Sequence, residues 1–465
     1  MTKNLLLASL SAMTLAACAS GPDYGPKPVT ASAAAPFVHQ QGAAVTPAEP
    51  VGNWWQLYRD PVLDGLVGDA LAANTDVRVA VGRLAKARAL LRETRGNREP
   101  QIGLGGSAQY GRLPGPDLGQ KREDLQVDVG LDVAYEVDLF GRVSRGIEAA
   151  RGDVAAAQGD TDAVRVAVVA DTTRAYADAA SAAERLAVGE SIVALLDRSL
   201  SLTERRHQVG LANGLDTARI AALRDQRRAE LPRIAAEREA ALLRLATLTG
   251  RAPRDLPVVA AARTSTLRLD RPIPVGDGAG LLARRPDVRA AERRLAAATA
   301  RIGVATADLY PRITLGGSVG SSGAGLGNLF GANPLTWLVG PLINWTANRS
   351  AARARVAGAE ADTQVALAQF DGAVLGALQE TETALSAYRR ALERRAALQS
   401  AAAEAEKAAR ITRAQQREGA IGSLELLDAE RTAADSRAAL AEADARIADA
   451  QIDLFRSLGG SWTAA

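Results

Sequence analysis

The chain has 465 residues, 47% of them hydrophobic and only 4% aromatic, with 56 basic against 53 acidic residues for a net charge of +3. That length allows two or three ordinary domains, but so few aromatics argue against a thick globular core, and Ala, Leu, Arg and Glu together favour long helices and coiled coils. Basic and acidic residues interleave, as in "AAEREAALLRLA", which reads as solvated helix faces and excludes the clustered, uncompensated Lys/Arg that phosphate binding requires.

Lys3 precedes an apolar run, "LLLASLSAMTLAA", too short to span a bilayer and shaped like a secretory signal over residues 1–17. It ends Leu15-Ala16-Ala17-Cys18, and Cys18 is the chain's only cysteine. A lone cysteine in an exported protein forms no internal disulfide. Small residues ahead of it resemble the lipobox of bacterial lipoproteins, which implies lipidation of Cys18. An ordinary signal with an incidental cysteine is the plainer alternative. Ala19 follows rather than Asp, which in that lipoprotein class implies release to the outer membrane. The stretch "ASGPDYGPKPVTASAAAPF" predicts an extended, lipidated N-terminal tether over residues 18–53.

The remainder is an internal duplication. "PQIGLGGS" (100–107) returns as "PRITLGGS" (311–318), an offset of 211, and "VGLANGLDTAR" (209–219) aligns with "EGAIGSLELLDAER" (418–431) at an offset of 209. A unit of that length is a domain-scale repeat rather than a solenoid, giving repeats over 54–260 and 261–465. Each half runs in the same order. A helical stretch comes first, Val62 to about Arg95 and Pro286 to about Asp308. Two strands follow around a Gly-rich turn, "GRLPGPDLGQ" in one half and "GSSGAGLGNLFGANP" in the other. A very long helix comes next, about Arg142 to Gln208 and about Arg349 to Arg417. A Gly-containing break leads to a return helix, about Asp216 to Leu248 and about Leu424 to Leu458. A helix of some 65 residues would be roughly 100 Å long, and its charges exclude a membrane span, so it must pack against neighbours through an aqueous space.

The strands are of a different kind. "LQVDVGLDVAYEV" (125–137) alternates throughout, with Val127, Val129, Leu131, Val133 and Tyr135 on one face and Asp128, Asp132 and Glu136 on the other. Apolar-out, polar-in segments of about ten residues are the signature of an outer-membrane β-barrel, which would put Asp128 and Asp132 in its lumen. Four strands are expected, about 101–111, 124–137, 311–320 and 334–343. The last is weakened by Pro341, and the aromatic girdle is thin, with Tyr110, Tyr135, Trp337 and Trp345. Lipid tolerates only closed strand systems, and four strands cannot close alone. Three copies supply twelve strands, and likewise twelve long helices around a hollow cylinder. The fold expected is therefore mainly α with a β-barrel part: long α-helical hairpins forming a periplasmic α-barrel, plus four β-strands given to a trimeric 12-stranded outer-membrane barrel.

Catalytic chemistry is not legible. His39 and His207 are the only histidines, no Cys/His metal set can be built from them, and there is no phosphate-binding G-x-x-x-x-G-K-[ST]. "GSVGSSGAGLGNLFG" lies between strands, so it cannot open a dinucleotide-binding helix and reads as an extracellular loop. No enzyme activity and no cofactor are expected.

"WWQLYRDPVLDGLVGDALAANTDVRVAVGRLAKARA" (54–89), "YEVDLFGRVSRGIEAAR" (135–151), "RRPDVRAAERRLAAATARIGVATADLYPRITLGGS" (284–318) and "GSLELLDAER" (422–431) resemble the TolC-type outer-membrane efflux channels. The similarity runs from Cys18 to the end of the chain and is strongest to the lipoprotein subgroup that serves resistance-nodulation-division pumps. It implies a homotrimeric, passive exit duct for drugs or other small molecules. It also implies a periplasmic adaptor (membrane fusion protein) and an inner-membrane resistance-nodulation-division transporter as partners. In the family the helix-turn-helix tips meet the adaptor and close as an iris. By position the tips are 209–216 and 419–428, with Gly210, Leu211, Gly419 and Ser423 as contact residues. Asp216, Glu425 and Asp428 would ring the periplasmic aperture. Glu425 and Asp428, three apart, share a helix face, and threefold repetition would gather like charges that attract cations. The same acids also suit a helix N-cap or first turn, and both roles can hold at once. Some members lock the iris with a Tyr and an Arg at positions that fall here near Gln416 and Ile421, so an apolar constriction from Leu426 or Leu427 is the alternative. A periplasmic coiled-coil structural lipoprotein that forms no channel is the competing class. An adaptor subunit is a third, but it would carry one hairpin rather than two.

Overall fold

A computed structural model describes residues 20–28, 30–50, 52–114, 121–324, 335–346 and 348–460. The signal segment and Cys18 lie outside these residues, as do most of both Gly-rich turns. In chain order the elements are α1 (Ala31–Ala34), β1 (Val45–Thr46), α2 (Pro61–Ala73), α3 (Thr75–Gly96), β2 (Gln101–Pro114), β3 (Lys121–Val137), α4 (Arg142–Gln208) and α5 (Gly214–Leu248). Then come β4 (Ile273–Pro274), α6 (Gly278–Arg284), α7 (Pro286–Ala307), β5 (Arg312–Ala324), β6 (Leu335–Asn344), α8 (Arg349–Arg417) and α9 (Ser423–Ser457).

The two halves of the sequence are not the two bodies of the fold. One compact unit gathers residues up to Lys27 with Arg83–Gln158 and Ala290–Asp371; the other gathers Pro28–Gly82, Gly159–Arg289 and the chain from Gly372 onward. Each therefore draws on both repeats. The cause is visible in the strand unit, where the sheet order is β2-β3-β5-β6 and every pairing is antiparallel. The central pairing joins β3 of the first repeat to β5 of the second over Gln126↔Ala324 to Val137↔Ile313. Neither repeat can satisfy its inner strand alone. Helix packing in this unit is close: a Cβ placed on Gly152 of α4 would lie 2.9 Å from the Cβ of Ala297 on α7.

The hairpin unit holds the main hydrophobic core. Trp54 stacks on Phe455 with ring centroids 4.7 Å apart, and Leu63, Tyr176, Leu245, Leu385 and Ile447 close around them. Asp60 starts α2 by accepting from the amides of Val62 and Leu63, and its other oxygen accepts from the Tyr176 hydroxyl at 2.9 Å and pairs with Arg263 at 3.0 Å.

Two segments carry more structure than the sequence pattern alone gives. The first helical stretch is two helices, because buried Asn74 interrupts it. Its Oδ1 accepts the amides of Asp76 and Val77, and its Nδ2 donates to the carbonyl of Leu248. An Asn that caps the next helix ends the previous one. The tether, too, is not free within the described residues. In the hairpin unit Phe37 is buried, β1 pairs in parallel with β4, and Glu382 accepts the amides of Val38 and His39 as well as facing His39 Nδ1 at 2.8 Å.

Candidate functional site: a two-faced sheet and two hairpin tips

In the strand unit, register carries the alternation of β3 across all four strands. Leu104 faces Leu131, Leu131 faces Val319, and Val319 faces Trp337. Residues directly opposite share a face, so one face of the sheet is mainly aliphatic and aromatic, interrupted by Gly106, Gly317 and Ser321. Much of it lies bare: Leu104 is 81% exposed, Trp337 74% and Val339 74%. The other face is mainly polar or glycine on β2, β3 and β5. Asp128 sits between Ser107 on β2 and Ser322 on β5; it accepts from their hydroxyls at 3.2 and 2.6 Å and from Gln126 Nε2 at 3.3 Å. Asp132 lies on the same face, opposite Ser318. Between the two carboxylates Gly105, Gly130 and Gly320 line up across three strands and floor a trough of about 440 Å³. A Cβ on Gly320 would approach the Val129 carbonyl to 2.8 Å, so that position admits no side chain without displacing a strand, whereas one on Gly105 would meet nothing.

Sequence reasoning missed Ser107, Ser322 and Gln126 as partners of Asp128. Period two continued along β5 (Thr314, Ser318, Ser322) would have found the second of them. The poor alternation of β6 is real, since Leu338 and Leu342 lie opposite Ser318 and Thr314 on the polar face.

In the hairpin unit the two tips are built alike. Gly210 has φ +76°; its amide donates to the His207 carbonyl, and that of Leu211 donates to Arg206. Gly419 has φ +74°, with the amides of Gly419 and Ala420 donating to Gln416 and Gln415. Each is a Schellman termination, for which glycine supplies the left-handed residue. Past the first tip Asn213 caps α5, and Asp216 completes a capping box, its amide donating to Asn213 Oδ1 and its carboxylate accepting the Asn213 amide. Past the second, α9 starts at Gly422 with no side-chain cap. Glu425 stands in the first turn, and Glu425 and Asp428 are both exposed, with no ion pair among the described residues. The two acids thus differ from Asp216, which is engaged in its own helix start. Gly210, Leu211 and Gly419 are exposed, and Ser423 opens α9.

The two leucines of the alternative apolar constriction are packed inside the chain. Leu426 is buried within the chain, and Leu427 packs against Ile192, Leu196, Leu223 and Ala434. Near the second tip, Arg206 Nη1 donates to the Gln416 carbonyl at 3.1 Å, and Arg413 pairs at 2.6 Å with buried Glu430.

No helix is long and apolar enough to cross a membrane, and no cluster of His, Cys, Asp or Glu suits a metal ion, among the described residues. A sheet with one bare apolar face and one polar face, in a chain whose other elements are charged helical hairpins, defines a membrane-inserted channel of the β-strand class. The profile of the outer membrane efflux protein family matches residues 66–251 and 280–460, and the chain belongs to that family. It is similar to outer membrane protein OprJ of Pseudomonas aeruginosa, 32% identical over 98% of this chain and 95% of that protein. A probable efflux pump outer membrane protein of Pseudomonas putida, TtgC, is 29% identical over 99% and 96%. Among solved structures, the outer-membrane channel OprN superposes with a TM-score of 0.90 at 36% identity, covering 96% of this chain and all of that one. The Neisseria gonorrhoeae MtrE channel superposes at 0.80 and 28%, covering 95% and 98%. The protein is an outer-membrane efflux channel, and its family is one of transport, not catalysis.

Proposed function

We propose that three copies pool their sheets into one twelve-stranded barrel, making a passive exit duct for small molecules. An acyl group on Cys18 anchors it to the outer membrane. The observation that carries this reading is the sheet itself: among the described residues it has four strands, edges at β2 and β6 that no further strand meets, and an apolar face left largely bare. Unpaired backbone in lipid costs several kcal/mol per group, so the edges must be met by further copies. The polar face, with Asp128 and Asp132, then lines the lumen. The hairpin tips dock a periplasmic adaptor, which couples the duct to an inner-membrane resistance-nodulation-division transporter. Exposed Val209, Leu211, Leu215 and Leu424 supply apolar contact area there. Glu425 and Asp428 ring the aperture in threefold copies, and Asp216 contributes less because its carboxylate is committed to Asn213. A structural lipoprotein would have to hide the sheet's apolar face, yet Leu104, Trp337 and Val339 on it stand exposed among the described residues.

The test is the full chain purified in detergent and placed in planar bilayers. Glu425→Ala with Asp428→Ala is expected to raise single-channel conductance and to weaken block by multivalent cations. Unchanged conductance and unchanged block would remove the ring; a polypeptide that stays monomeric and dissolved without detergent would remove the channel reading.

A further inference from the structure

Residues 20–24 are bolted into the strand unit. The Ser20 amide donates to the Phe140 carbonyl at 3.1 Å, three residues past the end of β3. Arg145, its side chain only 7% exposed, holds the same stretch from within. Its Nε donates to the Ser20 carbonyl at 3.3 Å and its Nη2 to the Gly21 carbonyl at 3.4 Å and to Asp23 Oδ1 at 2.5 Å; Nη1 donates to Glu148 at 2.8 Å. A buried guanidinium is tolerated where its fork is met in this way. Tyr24 donates to Glu292 at 3.1 Å and packs on Leu295, Ala298 and Ala366. The two backbones interlock at glycines. Gly21 has φ +89°, and a Cβ on it would lie 2.5 Å from the Gly303 Cα; one on Gly303 would lie 2.6 Å from the Ser20 carbonyl oxygen.

We propose that this clamp, with Arg145 as its positioning residue, pins the lipid anchor and fixes where the acyl group enters the periplasmic leaflet, beside the ends of the strands. The inference rests on the reading that Cys18 is acylated. Reach decides the point. Only Ala19 separates Cys18 from Ser20, two residue steps, so the chain lets the acyl group start no more than about 7 Å from the clamp. Were the chain held only at Phe37, the first buried side chain among the described residues, the reach would be roughly 60 Å, twice the ~30 Å hydrocarbon thickness. Such a leash would set no height. A pinned acyl group sets the level of the barrel in the bilayer, because the clamp and the strand ends belong to one unit.

The experiment uses the full-length protein in phospholipid vesicles, with a nitroxide on Pro22→Cys, an exposed position in the clamped stretch. Immobilisation and a single depth, read by oxygen against nickel-complex accessibility, are expected. Arg145→Ala should speed label rotation several-fold and spread the depth, and Arg145→Lys, which keeps the charge but not the fork, should fall between. Labelled palmitate should be retained in both and lost in Cys18→Ser, while the label in Cys18→Ser stays immobilised. Absence of palmitate from the otherwise wild-type protein overturns the acylation reading, and with it the pin. A mobile label in that protein, or an equally immobile one in Arg145→Ala, overturns the clamp with acylation intact. Should Arg145→Ala fail to assemble, Gly303→Ala moves the strap without deleting a charge; an immobile label there overturns the clamp as well.

Discussion

Asp178 on α4 and Asp449 on α9 show how a single side chain in the hairpin unit sets a pH response. Both line a cleft of about 1170 Å³ that also receives Arg174, Arg390, Arg446 and Asp453. Burial pushes the Asp178 carboxyl up to about 6, the Asp449 charge adds to the rise, and Arg174, Arg244 and Arg446 oppose it. Burial likewise raises Asp449. From the ordinary value of 3.8 to about 6 the folded chain therefore holds protons that the unfolded chain has released. Stability falls as pH rises through that window and stays at the lower level above it. One pKa unit is worth about 1.4 kcal/mol, and discounting for partial exposure leaves on the order of 2 kcal/mol. Asp178→Asn is expected to raise the thermal midpoint at pH 7.5 and to flatten its decline between about pH 4 and 6. Melting the detergent-solubilised protein across that range checks both, and an unaltered slope would assign the response elsewhere.

At the scale of elements, the long helices were legible and their junctions only partly so. Alanine-rich runs ended by Gly210 and Gly419 mark the ends of α4 and α8, because a left-handed terminator is written in the sequence as glycine. Gly419→Ala puts a Cβ at φ +74° and is expected to cost about 1 kcal/mol. The effect should be confined to faster amide hydrogen exchange in the last turn of α8 and the first of α9; protection lost along the whole hairpin would mean the tip nucleates it. The two-faced strands were also legible, since period two is a local signal. What was not legible depends on distant partners. Asn74 splits a helix whose pattern is unbroken because a carbonyl at Leu248 fixes its side chain. Leu426 turns inward and Glu425 outward on adjacent positions, a choice made by the neighbouring helices. The tether looks loose in composition, yet Val38 and His39 are held by Glu382, and Ser20, Gly21 and Asp23 by Arg145, each more than a hundred positions away.

For the whole molecule, the question is what meets β2 and β6. The duplicated order builds a sheet whose inner strands are satisfied and whose outer strands are not. Each copy therefore offers one edge of each kind, so that β2 of one can pair with β6 of the next. Such a head-to-tail contact closes a ring when its rotation divides the circle and otherwise runs on. A closed ring also gives the apolar face one continuous side toward lipid and the Asp128 face one continuous side toward water, which an open sheet in a bilayer cannot have. In a Cys18→Ser background, which removes the chain's one cysteine, introduced cysteines are the sole thiols. Leu104→Cys on β2, combined in turn with cysteine at Leu335, Trp337 or Val339 on the same face of β6, is expected to cross-link in one register only. The product should run as trimer on denaturing gels, with the dimer as the partly oxidised species. Cross-linking within a single chain would mean that the four strands curl on themselves. Failure in every register would mean that the edges are met by something other than a second copy.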